Sequence, residues 1–383
     1  MTRTAFRRCG FSLLCIAVAG ATDECQDEAA LLQAQLTGAS PRLTGGRLLE
    51  PVVAGQKHVK LFLNANLHVV GDVHMGMLRG CPVACEVTQD DMESADVVVW
   101  NARWMGPHTT PPALSSKPAH QKWVFNFDAE APVYGGMKVA TRAVEALAPG
   151  MDWTFTFKSD SDFFKPYWAL SAPSQLSMTE MQGNSHNWAQ NKSKLLLWFV
   201  SNCAGKRMNV FTSLASLLPA ELVETYGRCG KPHPCGRSIF NQQECIREVA
   251  RPFKFYAAFE NTRCDGYITE KLWTAFLYDM VPVVWGGLGR ADYERLIPKD
   301  SFIHVDDFNS TTDLAKFLWE LDKDDARYNK YFAWKASYHV ASGLELFERS
   351  YCELCMEASK PSSQQRPSKK FGNLSDWWYS SCE

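Results

Sequence analysis

Residues Phe259 to Leu272 read FENTRCDGYITEKL, and this stretch decides the fold. Apolar runs of strand length flank it, Phe253 to Ala258 before and Val281 to Trp285 after, which makes a strand-loop-helix-strand unit. Open α/β sheets bind nucleotides at such turns. The loop offers Asn261 and Tyr267 as polar contacts, and the helix opens with Thr269, Glu270 and Lys271 in its first turn. Free N–H groups and the helix dipole already favour phosphate there. Lys271 adds a full positive charge, and Glu270 is placed to accept hydrogen bonds from a ribose diol. The same residues also make an ordinary capped helix start with an exposed Glu-Lys pair, so the stretch alone leaves both readings open.

The same strand signal recurs along the chain. Val59 to Leu63, Ala95 to Trp100, Trp123 to Phe127, Trp153 to Phe157, Leu195 to Val200 and Phe302 to Val305 are mostly continuously apolar rather than alternating. Strands covered on both faces have that character. Two parallel-sheet α/β domains are expected, the first over residues 57–190 and the second over 191–350, with the polar segment Ser171 to Ser193 as the boundary region. A cysteine-containing tail, 351–383, ends in Trp377, Trp378, Tyr379 and Cys382; an aromatic end of this kind is expected to dock, with its partner unassigned.

Composition bounds the setting. The 383 residues suffice for two domains, and 40 Lys and Arg against 42 Asp and Glu leave a net charge of −2 with no basic patch, which argues against nucleic acid. Residues 1–22 carry Arg3, Arg7 and Arg8, then an apolar run from Cys9 to Ala21, a targeting segment that leads into the secretory pathway. The run is shorter than the about 20 residues of a full span and ends in Ala19-Gly20-Ala21, so the residues themselves favour cleavage over retention. Residues 23–56 read as a stem. Thirteen cysteines and sequons at Asn191, Asn309 and Asn373 agree with an oxidising lumen. Cys81 and Cys85 near the start of the folded part, with Cys352 and Cys355 near its end, suit disulfides better than zinc, although four such cysteines also make a metal set. Setting aside Cys9 and Cys15 leaves an odd number, hence at least one cysteine without an internal partner.

Val200-Ser201-Asn202 ends another strand and is followed by Lys206 and Arg207, again where a nucleotide crevice is expected. With Tyr226-Gly227-Arg228-Cys229-Gly230, Phe255 to Leu272, Val281-Pro282-Val283-Val284, Ser301 to Phe308 and Cys352-x-x-Cys355, these blocks resemble the α1,3/4-fucosyltransferases, and the resemblance spans most of residues 57–357. It implies a GT-B fold with two Rossmann-like domains facing a cleft. It also implies inverting transfer of fucose from GDP-fucose to the 3-hydroxyl of a GlcNAc unit on a glycoprotein or glycolipid. By position, Arg207 and Lys271 would hold the diphosphate, Glu270 the ribose, Asn261 and Tyr267 the phosphate and nucleoside region, and Ser201 and Asn202 would line the donor site. The general base would be Glu130, following the strand that ends at Phe127, with Asp128 as the nearby alternative. Two departures are visible: Ala131 stands where the family has Ser, and Gly266 where it has Asp before the tyrosine.

Asp160-Ser161-Asp162 is the remaining candidate, because an Asp-x-Asp after a strand is how metal-dependent GT-A enzymes hold Mn2+ on a nucleotide diphosphate. The resemblance implies no obligatory metal, with Mn2+ at most stimulatory, and a structural or acceptor-side role for these aspartates. It further implies that residues 1–22 are retained as a signal-anchor of a single-pass type II Golgi membrane protein with its catalytic domains in the lumen. A non-catalytic glycan-binding relative is the other alternative, motivated by Ala131 and Gly266.

Overall fold

The computed structural model describes residues 57–64, 75–102, 114–127, 145–146, 148–172, 186–236, 243–287, 289–341, 343–368, 373–380 and 382. Among them, two parallel sheets dominate. The first runs in the order β2-β3-β1-β4-β5-β6-β7, formed by β1 (Val59–Asn64), β2 (Gly76–Met77), β3 (Cys85–Thr88), β4 (Val97–Asn101), β5 (Lys122–Asn126), β6 (Trp153–Thr156) and β7 (Phe163–Phe164). Only β2 pairs antiparallel, with β3. A small antiparallel pair joins β8 (Leu170–Ser171) to β14 (His339–Val340).

The second sheet has the order β10-β9-β11-β12-β13, from β9 (Lys194–Phe199), β10 (Val223–Tyr226), β11 (Phe253–Phe259), β12 (Val281–Trp285) and β13 (Ile303–His304), all parallel. Its apolar strands are covered twice, as their unbroken hydrophobicity requires. Phe255, Ala257 and Phe259 of β11 share a core with Phe211 and Leu214 of α1 (Lys206–Ala215) and with Leu314, Leu318 and Leu321 of α5 (Thr311–Asp322). Tyr256 and Ala258 face the other way, against Ile246 of α2 (Gln243–Ala250) and Leu272, Trp273 and Phe276 of α3 (Glu270–Leu277). That alternation is the period of two that a strand imposes. The strand order turns back on itself between β9 and β11, so the crevice at this end of the sheet opens between their C-terminal ends.

The chain's end belongs to the first sheet. After α4 (Arg290–Glu294), α5 and α6 (Asp325–Lys330), the helix α7 (Gly343–Ser359) lays Phe347, Tyr351, Leu354 and Ala358 on β1, β3, β4 and β6. Disulfides Cys81–Cys352 and Cys85–Cys355 fix it there, closing loops of 271 and 270 residues. Long loops of this kind restrict the unfolded chain most. The other face of the sheet is covered by α8 (Leu374–Tyr379), whose fully buried Trp378 packs on Phe125, Phe127 and Phe157 at 5.2–5.6 Å. The aromatic end thus docks on the first sheet, and Cys382 pairs with Cys264, in the opening stretch. The ten cysteines among the described residues form five disulfides, the others being Cys203–Cys229 and Cys235–Cys245, so the zinc alternative falls. No helix among the described residues is long and apolar enough to cross a membrane, and residues 1–56 lie outside them.

Trp378 fills a closed aromatic pocket, so Trp378→Ala is expected to cost about 3–5 kcal/mol of stability. Urea unfolding of the purified chain measures it; a loss under about 1 kcal/mol would mean that the tail does not complete this core.

Candidate active site

Everything the second sheet presents to a ligand sits on the loops after its strands. Beyond β9, Val200 donates its N–H to Tyr226 O at 2.8 Å, which holds the loop toward β10. Gly227 permits this approach: a Cβ there would lie 2.3 Å from Val200 O, on a backbone at φ +116°. Ser201 is exposed and Asn202 partly so, and the Asn202 side-chain oxygen accepts from Ala204 N–H at 3.2 Å.

Arg207, in the first turn of α1, is only 4% exposed. Its guanidinium donates to Asn202 O at 2.9 Å and to Phe259 O at 3.0 Å. One cation therefore joins the end of β9 to the end of β11, across the switch point itself. It reaches the crevice from behind, as a clamp on the backbone of both loops.

The next residue, Glu260, is 1% exposed and was not singled out by the sequence reading. Its carboxylate accepts from Thr269 N–H at 2.7 Å and from Thr269 Oγ at 2.9 Å, and pairs with the Lys271 ammonium at 2.9 Å. Thr269 caps α3 in an extended conformation without using its own side chain on the helix, because that hydroxyl is turned to Glu260. Lys271 also donates to Thr269 Oγ at 2.6 Å and pairs with Glu270 at 3.0 Å. Burial opposes the charge on Lys271, but Glu260 and Glu270 outweigh it and hold the ammonium's pKa above its ordinary value. Burial raises the Glu260 pKa, with Lys271 countering only in part. For Glu270 burial acts upward, and Lys271 prevails to lower it.

The loop after β12 closes over this pair. At Gly286 a Cβ would stand 2.7 Å from Glu260 Cγ, so any larger residue would displace the carboxylate. The outer wall is set by Arg263, which pairs with Asp306 at 2.7 Å just past β13.

The remaining candidates are placed differently. Asn261 follows Glu260 directly, at the crevice. Tyr267 is 2% exposed and its ring packs on Phe157 at 5.4 Å and Tyr167 at 5.8 Å, both in the half of the chain that carries the first sheet. It thus joins the two halves. Gly266 lies beside it at φ +66°, where a Cβ would be 2.6 Å from Phe157 O. The departure from aspartate at this position is thereby explained: only glycine accepts both the dihedral and the close approach. Glu130, Asp128 and Ala131 lie outside the described residues; Phe127, which follows β5 and precedes them, is buried against Trp378.

Asp162 accepts from Thr154 N–H at 2.8 Å and Thr154 Oγ at 2.9 Å, and Asp160 accepts from the Trp377 indole N–H at 2.6 Å. Both carboxylates are tied into the turn after β6 and into the docked tail.

Arg207 and Lys271 are thus bound to consecutive residues at the switch point of a parallel α/β sheet, beside a helix N-terminus, which is where sheets of this class take phosphorylated ligands. Residues 59–168 match the family described as fucosyltransferase, N-terminal, and residues 189–377 match glycosyltransferase family 10 (fucosyltransferase), C-terminal. The chain is similar to 4-galactosyl-N-acetylglucosaminide 3-alpha-L-fucosyltransferase FUT5 of Homo sapiens, 35% identical over 73% of this chain and 70% of that protein. It is similar also to glycoprotein 3-alpha-L-fucosyltransferase A of Drosophila melanogaster, 31% identical over 78% of this chain and 55% of that one. A crystal structure of an α1,3-fucosyltransferase with GDP shares the fold, with a TM-score of 0.51 at 15% identity over 87% of this chain and 97% of that one. The chain belongs to glycosyltransferase family 10, the fucosyltransferases, and its two sheets are the Rossmann-like pair of the GT-B class.

Because Arg207 bridges two carbonyls, Arg207→Lys keeps the charge yet leaves at least one buried carbonyl unpaired. A loss of about 1.5–3 kcal/mol in stability is expected, read by urea unfolding; an unchanged midpoint would contradict the clamp.

Proposed function

We propose that the chain transfers fucose from GDP-fucose, with inversion, to the 3-hydroxyl of a GlcNAc unit in an N-glycan or related glycoconjugate. The observation that carries this reading is the convergence of Arg207 and Lys271 on Phe259 and Glu260 at the switch point of the second sheet. Glycosyl transfer builds negative charge on the departing diphosphate while the sugar becomes oxocarbenium-like. Fixed cations that need no reorganisation lower that barrier.

In this reading Lys271 and the N-terminus of α3 meet the diphosphate, Arg207 fixes and polarises the two loops around it, and Glu270, the more exposed carboxylate, meets the ribose hydroxyls. Ser201, Asn202 and Asn261 line the same rim. Tyr267 acts through position, holding the loop against the first sheet. These cations supply the neutralisation that a divalent ion supplies elsewhere, and Asp160 and Asp162 are committed to other bonds. Turnover is accordingly expected to persist in EDTA, with Mn2+ at most stimulatory.

The acceptor hydroxyl must lose a proton as the new bond forms, and Glu130 is the base in this proposal. Its support is its place just after β5, a strand of the first sheet. A carboxylate on the face of the sugar opposite the leaving group is what single-displacement inversion requires. Five disulfides and three sequons support a lumenal setting, with residues 1–22 as a retained anchor in the Golgi membrane.

Three measurements test these assignments. Glu130→Gln is expected to reduce transfer about 100-fold or more while GDP binding survives; wild-type turnover would remove Glu130 as base. Lys271→Ala is expected to weaken GDP binding by about tenfold or more, seen by calorimetry. Complete loss of transfer in EDTA, restored by Mn2+, would overturn the metal-independent reading.

A further inference from the structure

Glu260 is the charged group at the site for which transfer itself has no use. Its side chain is 1% exposed against 17% for Lys271, so it lies deeper than the ammonium it shares with Glu270. Two carboxylates on one buried ammonium already leave the cluster short of positive charge. A nucleoside diphosphate landing on the same Lys271 adds two more negative charges, and unpaired charge in a water-poor site is costly.

Among the described residues the cation paired with Glu260 is Lys271; the nearby Arg263 is paired with Asp306, and Arg207 donates to the main-chain carbonyls of Asn202 and Phe259. Glu270 of α3, Tyr256 of β11 and Tyr293 of α4 are the other titratable groups that interact with it. The side chain is also closely held: Gly286 packs against it so tightly that a Cβ there would lie 2.7 Å from Glu260 Cγ, and the Thr269 hydroxyl bonds both carboxylate oxygens. What remains free to change is the protonation state.

We propose that Glu260 takes up one proton from solvent when a nucleoside diphosphate settles against Lys271, and returns it when the diphosphate leaves. The proposal rests on the reading of Lys271 as the diphosphate ligand. The step balances simply: a solvent proton bonds to a Glu260 carboxylate oxygen, that carboxylate's claim on Lys271 ends, and the ammonium is released toward the phosphates. Burial has already raised the Glu260 pKa, so the incoming charge has less far to move it. The sign follows from linkage: a complex that binds more protons than its parts is favoured at lower pH, by up to about tenfold in affinity per pH unit for one proton. Glu260 is thus a positioning residue whose neutralisation sets the strength of Lys271.

The test is calorimetry of GDP-fucose binding, without acceptor, in pairs of buffers that differ in ionisation enthalpy, between about pH 5 and 8. Intact GDP-fucose is the probe because its diesterified diphosphate has no proton to exchange in this range. Wild-type protein is expected to take up close to one proton where Glu260 is ionised in the free state, with affinity rising as pH falls. Glu260→Gln is expected to bind with no proton uptake and a flat pH profile. Tight binding by the wild type without uptake across the range overturns the proposal, whether or not Glu260→Gln folds. Uptake that persists in Glu260→Gln and disappears in Glu270→Gln assigns the proton to the other carboxylate and overturns it also. GDP-fucose binding that Lys271→Ala leaves untouched removes the underlying reading, and the proposal with it.

Discussion

One buried guanidinium holds the ends of β9 and β11 together. In a parallel sheet the strand ends at a switch point diverge, because their helices leave toward opposite faces, and nothing in the ladder ties the loops above them. Arg207 ties them through the backbone, from Asn202 O to Phe259 O. Every other feature of the site is measured from those two atoms. Glu260 follows Phe259, Asn261 follows Glu260, and Lys271 returns to Glu260 across the first turn of α3. A cation whose hydrogen bonds go to main-chain carbonyls cannot be replaced by a second charge elsewhere, which is why the clamp and the charge are one residue.

The second constraint crosses between the two sheets. Loop 264–267 belongs by sequence to the half of the chain that carries the second sheet but contributes Cys264 and Tyr267 to the core on one face of the first sheet, together with Trp378. The chain's end returns to this place, with Lys158 lying 4.3 Å over the Trp377 ring and Cys382 bonded to Cys264. The same aromatic cluster touches Phe127, the last described residue before Glu130. A shift of the tail would therefore move loop 264–267 and Phe127 together. The Cys264–Cys382 bond ties loop 264–267 covalently to that tail.

Much of this was legible because buried parallel strands are spelled without alternation. The run Val281 to Trp285 is β12 residue for residue, and the other apolar runs fall within a residue or two of their strands. The helix start at Thr269 to Lys271 was equally plain, since a capping residue ahead of charged groups has few other meanings. Strands β3 and β10 were not read, for Glu86, Glu224 and Thr225 break the apolar pattern in segments of four residues. Tyr267 reads from the sequence as a ligand contact because it stands in a loop with Arg263 and Asp265, and its packing on Phe157 and Tyr167 was not legible because those residues come from the other half of the chain. Glu260 was passed over for the same reason. An acid ending an apolar strand ordinarily turns to solvent, and only Gly286, Thr269 and Lys271 closing round it make it internal.

Glycosyltransferase family 10 places the chemistry, and the arrangement around Arg207 and Lys271 accounts for how a metal-independent transfer would be driven. The most direct test of that account is an assay of purified protein with GDP-fucose and a panel of GlcNAc-containing acceptors in EDTA, with the product linkage determined. Appearance of α1,3-linked fucose on GlcNAc, lost in Lys271→Ala, is the predicted result. Binding of GDP-fucose with no transfer to any acceptor would contradict it, and would make the chain a glycan-binding relative that keeps the fold without the reaction.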